Sequence, residues 1–154
     1  MENVKNSVKT AKKRQKTTRI EPNEGEIEDL ICKWLSFFND GKVYKIAPSG
    51  FFNGKRFVKH RNKFILNGHP DVVFHYQGRV FYFEVKKPSE LKYLMKHYVS
   101  IKNGINLNKK KLHLQEQILF VEDLRRVGHV AEFVCSLDMV REIIDKTLNR
   151  LKNK

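Results

Sequence analysis

Apolar residues recur along this chain with two different periods. Between Asn23 and about Asn39, the residues Ile27, Leu30, Ile31, Trp34, Leu35 and Phe38 fall on one stripe of a 3.6-residue repeat. That spacing predicts an amphipathic helix with Asn23 as its N-cap. Asp40-Gly41 ends it, since glycine readily takes the left-handed cap conformation. Val43–Ala47 reads as a strand, followed by a Pro48-Ser49-Gly50 turn. The runs Asp71–Tyr76 and Arg79–Lys86 are rich in Val, Phe and Tyr and predict two strands. Gln77-Gly78 between them reads as a two-residue hairpin turn.

Further on, Glu90–Lys102 predicts a short helix closed by Asn103-Gly104, and Asn106–Lys111 a mobile basic loop. Leu114, Ile118, Val121 and Leu124 define another amphipathic helix ending near Arg126, with Gly128 as its stop. Val130–Cys135 predicts a strand, and Ser136 caps a last helix from Leu137 to about Leu151. Leaving the short basic helix aside, the order is α, β, a basic excursion, β, β, α, β, α. This is an α/β pattern with no internal repeat.

The hairpin has a chemical consequence. With a two-residue turn at Gln77-Gly78, position 76 faces 79 and Asp71 faces Glu84, their Cβ atoms about 5 Å apart. Glu84 and Lys86 are two apart on one strand and point to the same face. Two carboxylates so close repel unless a proton or a cation intervenes. Mg²⁺ or Mn²⁺ in hard-oxygen coordination suits that pair. Such an ion polarises a phosphodiester and acidifies an attacking water, while Lys86 on the same face can orient the nucleophile and offset charge on the phosphate. An ordinary cross-strand ion cluster would show the same residues. The rest of that face carries no charged group at neutral pH, with Val73 opposite Tyr82 and His75 opposite Val80.

Charge points the same way. The 154 residues carry 31 Lys and Arg against 17 Asp and Glu, a formal net charge of +14. An anionic polymer is the expected partner, DNA first among them. Residues 1–20 hold seven basic residues against Glu2 alone and read as a disordered basic arm ahead of a single domain over 21–154. Lys42–Lys63 has no acidic residue and interleaves Lys55, Arg56, Lys59, Arg61 and Lys63 with Phe51, Phe52 and Phe57, a composition suited to tracking a nucleic-acid backbone. Lys87–Lys111 forms a second basic insertion, with Glu90 its sole acid and Lys87, Lys109, Lys110 and Lys111 as candidate phosphate contacts.

Cys32 and Cys135 show no metal or disulfide spacing, and none of the six histidines forms a zinc-type spacing. His69 falls opposite Lys86 if the hairpin pairing continues, where it could touch a phosphate; a turn histidine satisfied locally is the other option. No run of about 18 apolar residues exists, and the basic N-terminus lacks an apolar stretch behind it. A cytoplasmic protein is expected.

Taken together, Glu24-x-x-Ile27 on the first helix, Gly68-x-Pro70-Asp71, Glu84-Val85-Lys86 and Gln117-x-x-Phe120 before Gly128 and a strand resemble the PD-(D/E)xK nuclease superfamily. Within it, the match over roughly residues 23–145 is to the VRR-NUC family. The resemblance implies a restriction-endonuclease-like core (α-β-β-β-α-β), a mixed sheet flanked by helices. It implies Asp71, Glu84 and the Val85 carbonyl as metal ligands, Lys86 as catalytic lysine, Gln117 as the helical amide near the scissile phosphate and Glu24 as the first-helix acid. Glu28, one turn on, rivals Glu24, and Gln115 rivals Gln117. The chain is also similar to archaeal Holliday junction resolvases, with Ser49-Gly50 standing where those enzymes carry Ser-Gly after the first strand. Cutting of branched or junction DNA by a homodimer is what that likeness implies. A catalytically silent DNA-binding module, or a subunit active only in a larger repair or phage complex, is the alternative.

Overall fold

In the computed structural model, residues 21–46, 50–52, 57–59 and 68–152 are described. The expected arm over 1–20 and the side chains of Ser49, Lys55, Arg56, Lys59, Arg61 and Lys63 lie outside what is described. The elements run α1 (Glu24–Leu35), β1 (Lys42–Lys45), β2 (Gly50–Phe52), β3 (Phe57–Lys59), β4 (Val72–Tyr76), β5 (Arg79–Val85), α2 (Pro88–Lys102), α3 (Lys109–Arg126), β6 (Val130–Val134) and α4 (Leu137–Lys152).

Four strands form one mixed sheet in the order β1-β4-β5-β6, antiparallel except for the parallel β5–β6 pair; β2 and β3 form a separate hairpin. Alternation along the strands sends side chains to two cores. Phe74, Phe81, Phe83 and Val85 pack with Ile27, Ile31 and Leu35 of α1 and Val140 and Ile144 of α4. On the other face, Ala131 and Phe133 pack with Leu91, Leu94 and Ile101 of α2 and Leu114, Ile118 and Val121 of α3. The molecule is thus an α/β fold, a mixed sheet with helices on both faces. Among the described residues, no helix is long and apolar enough to cross a membrane. Cys32 and Cys135 are free and pack against the first and second core respectively.

The helix starting at Asn23 has a full capping box: Asn23 Oδ1 accepts from the Glu26 N–H, and Glu26 Oε2 accepts from the Asn23 N–H. It stops at Leu35 rather than near Asn39, because the Phe38 ring packs against Phe74 and Tyr76, at 5.4 and 4.9 Å, and draws the chain off the helix axis. Gly41 follows in tight quarters, since a Cβ there would meet the Phe74 ring at 2.6 Å. The expected loop over Asn106–Lys111 is overturned in its second half. There α3 begins at Lys109, because Asn108 Oδ1 accepts from the Lys111 N–H and caps the helix.

Candidate metal-dependent active site

The hairpin forms in the expected register, Val72 opposite Phe83 and Tyr76 opposite Arg79. Gln77 and Gly78 both take positive φ, 48° and 71°, the conformation that matches a two-residue turn to strand twist. At the far end of the hairpin the ladder closes with Asp71 Oδ2 accepting from the Val85 N–H at 2.8 Å, so Asp71 sits beside Glu84.

Glu84 is fully buried. Its Oε1 accepts from the Lys86 ammonium at 2.5 Å and from the Gln117 side-chain amide on α3. The same ammonium donates to the Val85 carbonyl at 3.1 Å and stands 3.8 Å from Glu24 Oε1, which reaches in from the first turn of α1. Asp71, Glu84, Lys86, Gln117, Glu24 and the Val85 carbonyl are therefore brought together from β4, β5, α1 and α3. Glu28 pairs with Lys45 at 2.9 Å, and its charge is near enough to add to the rise in the Asp71 pKa. Gln115 donates to the Lys102 carbonyl at 3.1 Å and has no part in the cluster.

Burial raises the pKa of Glu84 to about 8, with the Lys86 charge opposing and the Asp71 charge adding to the rise. Asp71 is also raised, by burial first, against the lowering pull of the Val85 N–H and of Lys86. For Lys86, burial acts against the charge, but the surrounding carboxylates outweigh it and hold the group above the ordinary lysine value. The ammonium thus stands as a tethered cation among oxygens that otherwise repel.

Glu90, in the first turn of α2, is the site residue that sequence reasoning missed. It lies beside Glu24 and pairs with Lys110 at 2.9 Å. Lys110 holds the Glu90 carboxyl below the ordinary value, while burial pushes Glu24 up. Its position six residues after Glu84, as the lone acid of a basic stretch, was the available signal. Lys110, expected at DNA, is engaged in this pair, and Lys111 donates to the Asn106 carbonyl at 3.1 Å; Lys109 is exposed. Lys87 stands at the N-cap of α2, half-buried. His69 does not face Lys86: the Lys86 N–H pairs with Val134, and the His69 ring lies against Phe120 at 5.2 Å with Nδ1 3.0 Å from the Pro70 carbonyl.

The residues fit a hard divalent ion. Glu84 Oε2 and Gln117 Oε1 are buried acceptors without a hydrogen-bond partner, which is costly unless a proton or cation meets them. Among the described residues no three His, Cys, Asp or Glu side chains converge as a closed metal cage. Two carboxylates, a backbone carbonyl and water instead match how Mg²⁺ is usually held.

Gly68 explains its place before Pro70-Asp71. Its φ is +77°, and a Cβ there would lie 2.7 Å from the Glu116 carbonyl and 2.8 Å from the Gln117 nitrogen. The loop thus runs directly on the backbone of α3, seating Gln117 against Glu84. Gly68→Ala should lower stability by about 3 kcal/mol, from overpacking against backbone and from the left-handed conformation. A thermal melt checks it; an unchanged midpoint would show that α3 does not need this contact.

Comparison of the chain with protein-family models, curated proteins and solved structures gives no match.

Proposed function

We propose that this protein is a metal-dependent DNA endonuclease that hydrolyses phosphodiester bonds. The observation that carries this is the meeting of Asp71, Glu84, Lys86 and Gln117 at one end of the sheet, around buried acceptors left without donors. Asp71, Glu84 and the Val85 carbonyl would hold Mg²⁺ or Mn²⁺, which supplies Lewis-acid activation of the phosphate and of the attacking water. Asp71 is kept in place by the Val85 N–H, and Gln117 fixes the rotamer of Glu84. Lys86 is the one basic side chain within hydrogen-bond reach of these oxygens among the described residues. It serves to orient the attacking oxygen and to offset charge that builds on the phosphate. Glu24 and Glu90 keep the Lys86 and Lys110 ammonium groups directed toward this end of the sheet.

In its finer form, the proposal is a restriction-endonuclease-like core of VRR-NUC type acting as a homodimer on branched or four-way-junction DNA. That form rests on the sequence resemblance and on the basic stretches flanking the hairpin. The test is nicking of a supercoiled plasmid and cleavage of a panel of flap, fork, four-way junction, duplex and single strand, each with Mg²⁺, Mn²⁺ or EDTA. Metal-dependent cutting by the isolated chain, strongest on branched DNA, is expected. DNA binding without cleavage under every metal would leave the silent binding module standing instead.

A further inference from the structure

The starts of α1 and α2 are joined by polar links near the end of β5 where Lys86 emerges. α1 packs into the first core and α2 into the second. Among the described residues, neither core holds apolar side chains of both helices, so no shared apolar layer fixes one helix start against the other. α2 also lacks a cap of its own. Lys87 at its N-cap has no side-chain acceptor, and Pro88 follows as the first helical residue without an N–H. The first orphan donor is therefore the Ser89 N–H. Glu21, just before the N-cap of α1, fills that gap from a distant part of the chain. Its Oε1 accepts from the Ser89 N–H at 2.6 Å and its Oε2 from the Ser89 hydroxyl at 2.8 Å.

We propose that Glu21 is a positioning residue that sets the Glu24 carboxyl beside Lys86 by capping α2 from outside, an inference that rests on the nuclease function proposed above. Two links run side by side. Glu21 bonds Ser89, and further along the same two segments Glu24 shares a hydrogen bond with Glu90. The second link needs the first. Glu24 and Glu90 repel when both are ionised, and the Glu24 side chain is 37% exposed, so no packed pocket holds it. The capping box of Asn23 and Glu26 shapes the first turn of α1 from within and does not tie that turn to α2. A carboxylate fork taking both an N–H and an O–H forms the stronger, charge-assisted kind of bond, and it suits the positive end of the α2 dipole.

Ser89 is a firm anchor for this purpose. It closely follows Lys86, whose N–H is held by the Val134 carbonyl at 2.8 Å, and Pro88 between them has its φ fixed by the ring. Of the three carboxyls acting on the Lys86 ammonium, Glu84, Asp71 and Glu24, only Glu24 lies outside the proposed metal-ligand set. It is the group available to direct the ammonium toward the attacking oxygen, and Glu21 keeps it there.

The experiment measures kcat and KM for metal-dependent plasmid nicking by the full chain, beside the nitrogen-edited NMR signal of the Lys86 ammonium in EDTA. Glu21→Ala should lower kcat roughly tenfold and leave KM unchanged, because Glu21 acts on Lys86 and not on DNA. Glu21→Gln should keep most of the rate, its carbonyl accepting from the Ser89 N–H and its amide donating to the hydroxyl oxygen. Ser89→Ala keeps the backbone bond and loses the other, and should cost roughly threefold; it carries the test if Glu21→Ala folds poorly. In a Glu24→Gln background, Glu21→Ala should cost no further rate, since the group it positions is already altered. A role confined to helix stability would lower the melting temperature and leave kcat below the melt unchanged. The ammonium signal should move in Glu21→Ala and stay in Glu21→Gln, which needs no cleavage. A moved signal in a protein whose wild type never nicks DNA would remove the nuclease function and keep the positioning. An unmoved signal, a wild-type kcat in both Glu21→Ala and Ser89→Ala, or an equal loss of rate with and without Glu24 would overturn the inference.

Discussion

Glu84→Gln should reduce metal-dependent plasmid nicking by at least about a thousandfold while leaving the metal-free protein at least as stable as wild type at neutral pH. The two halves of that result come from different oxygens. Oε1 accepts from Lys86 and Gln117, and a glutamine carbonyl can keep both bonds. Oε2 has no donor, so an amide nitrogen placed there breaks no hydrogen bond. Burial has already pushed the Glu84 carboxyl up to about 8, so near pH 7 it spends much of its time neutral and glutamine imitates that state. What glutamine cannot do is ionise and hold a divalent ion. Lys86→Ala provides the contrast. It should also abolish nicking, but it strips the shared counter-ion from Glu84, Asp71 and Glu24 and should cost about 3 kcal/mol. Nicking assays paired with urea melts check both. If Glu84→Gln were as destabilising as Lys86→Ala and still cut DNA, the cluster would be a structural ion network and not a catalytic one.

How much of this was legible in the sequence depends on how local each feature is. The carboxylate pair was readable because a strand has period two and a two-residue turn sets the register: Gln77-Gly78 adopts the turn, and Asp71 lands beside Glu84. Choosing between Glu24 and Glu28 was beyond the sequence, since both flank the same helical stripe one turn apart. What separates them is tertiary: Glu24 stands 3.8 Å from Lys86, whereas Lys45 on the edge strand β1 pairs with Glu28. The start of α3 was hidden because three lysines at a helix N-terminus oppose the helix dipole, and only the Asn108 cap and the Lys110–Glu90 pair make it tolerable. Glu90 was missed for the same reason: its partners Glu24 and Lys110 lie on other helices.

In EDTA, the melting temperature of the protein should fall as pH rises from about 5 to about 8, the reverse of the usual trend for a protein with paired carboxylates. The folded-state pKa of Glu84 is raised from the ordinary 4.5 to about 8. A raised pKa means that the folded state binds the proton more tightly than the unfolded chain does. The associated stabilisation is therefore complete below about 4.5 and lost as pH climbs through about 8. For a fully buried group shifted that far the loss is on the order of 5 kcal/mol. Asp71 and Glu24, also raised, act in the same direction. Glu90, Glu122 and Glu142, held down by lysine partners, act oppositely, but their contribution is lost as pH falls through their lowered values, outside this window. Adding Mg²⁺ or Mn²⁺ should raise the melting temperature at pH 8 and do little at pH 5, because the ion binds the ionised carboxylates that the proton otherwise neutralises. Glu84→Gln should flatten the pH dependence and remove most of the metal response together. Scanning fluorimetry over pH 5–8, with and without metal, reads all of this without any DNA present. A metal shift of equal size at both ends of the range, or one that survives Glu84→Gln, would mean that the ion binds elsewhere and that the buried pair is not its ligand set.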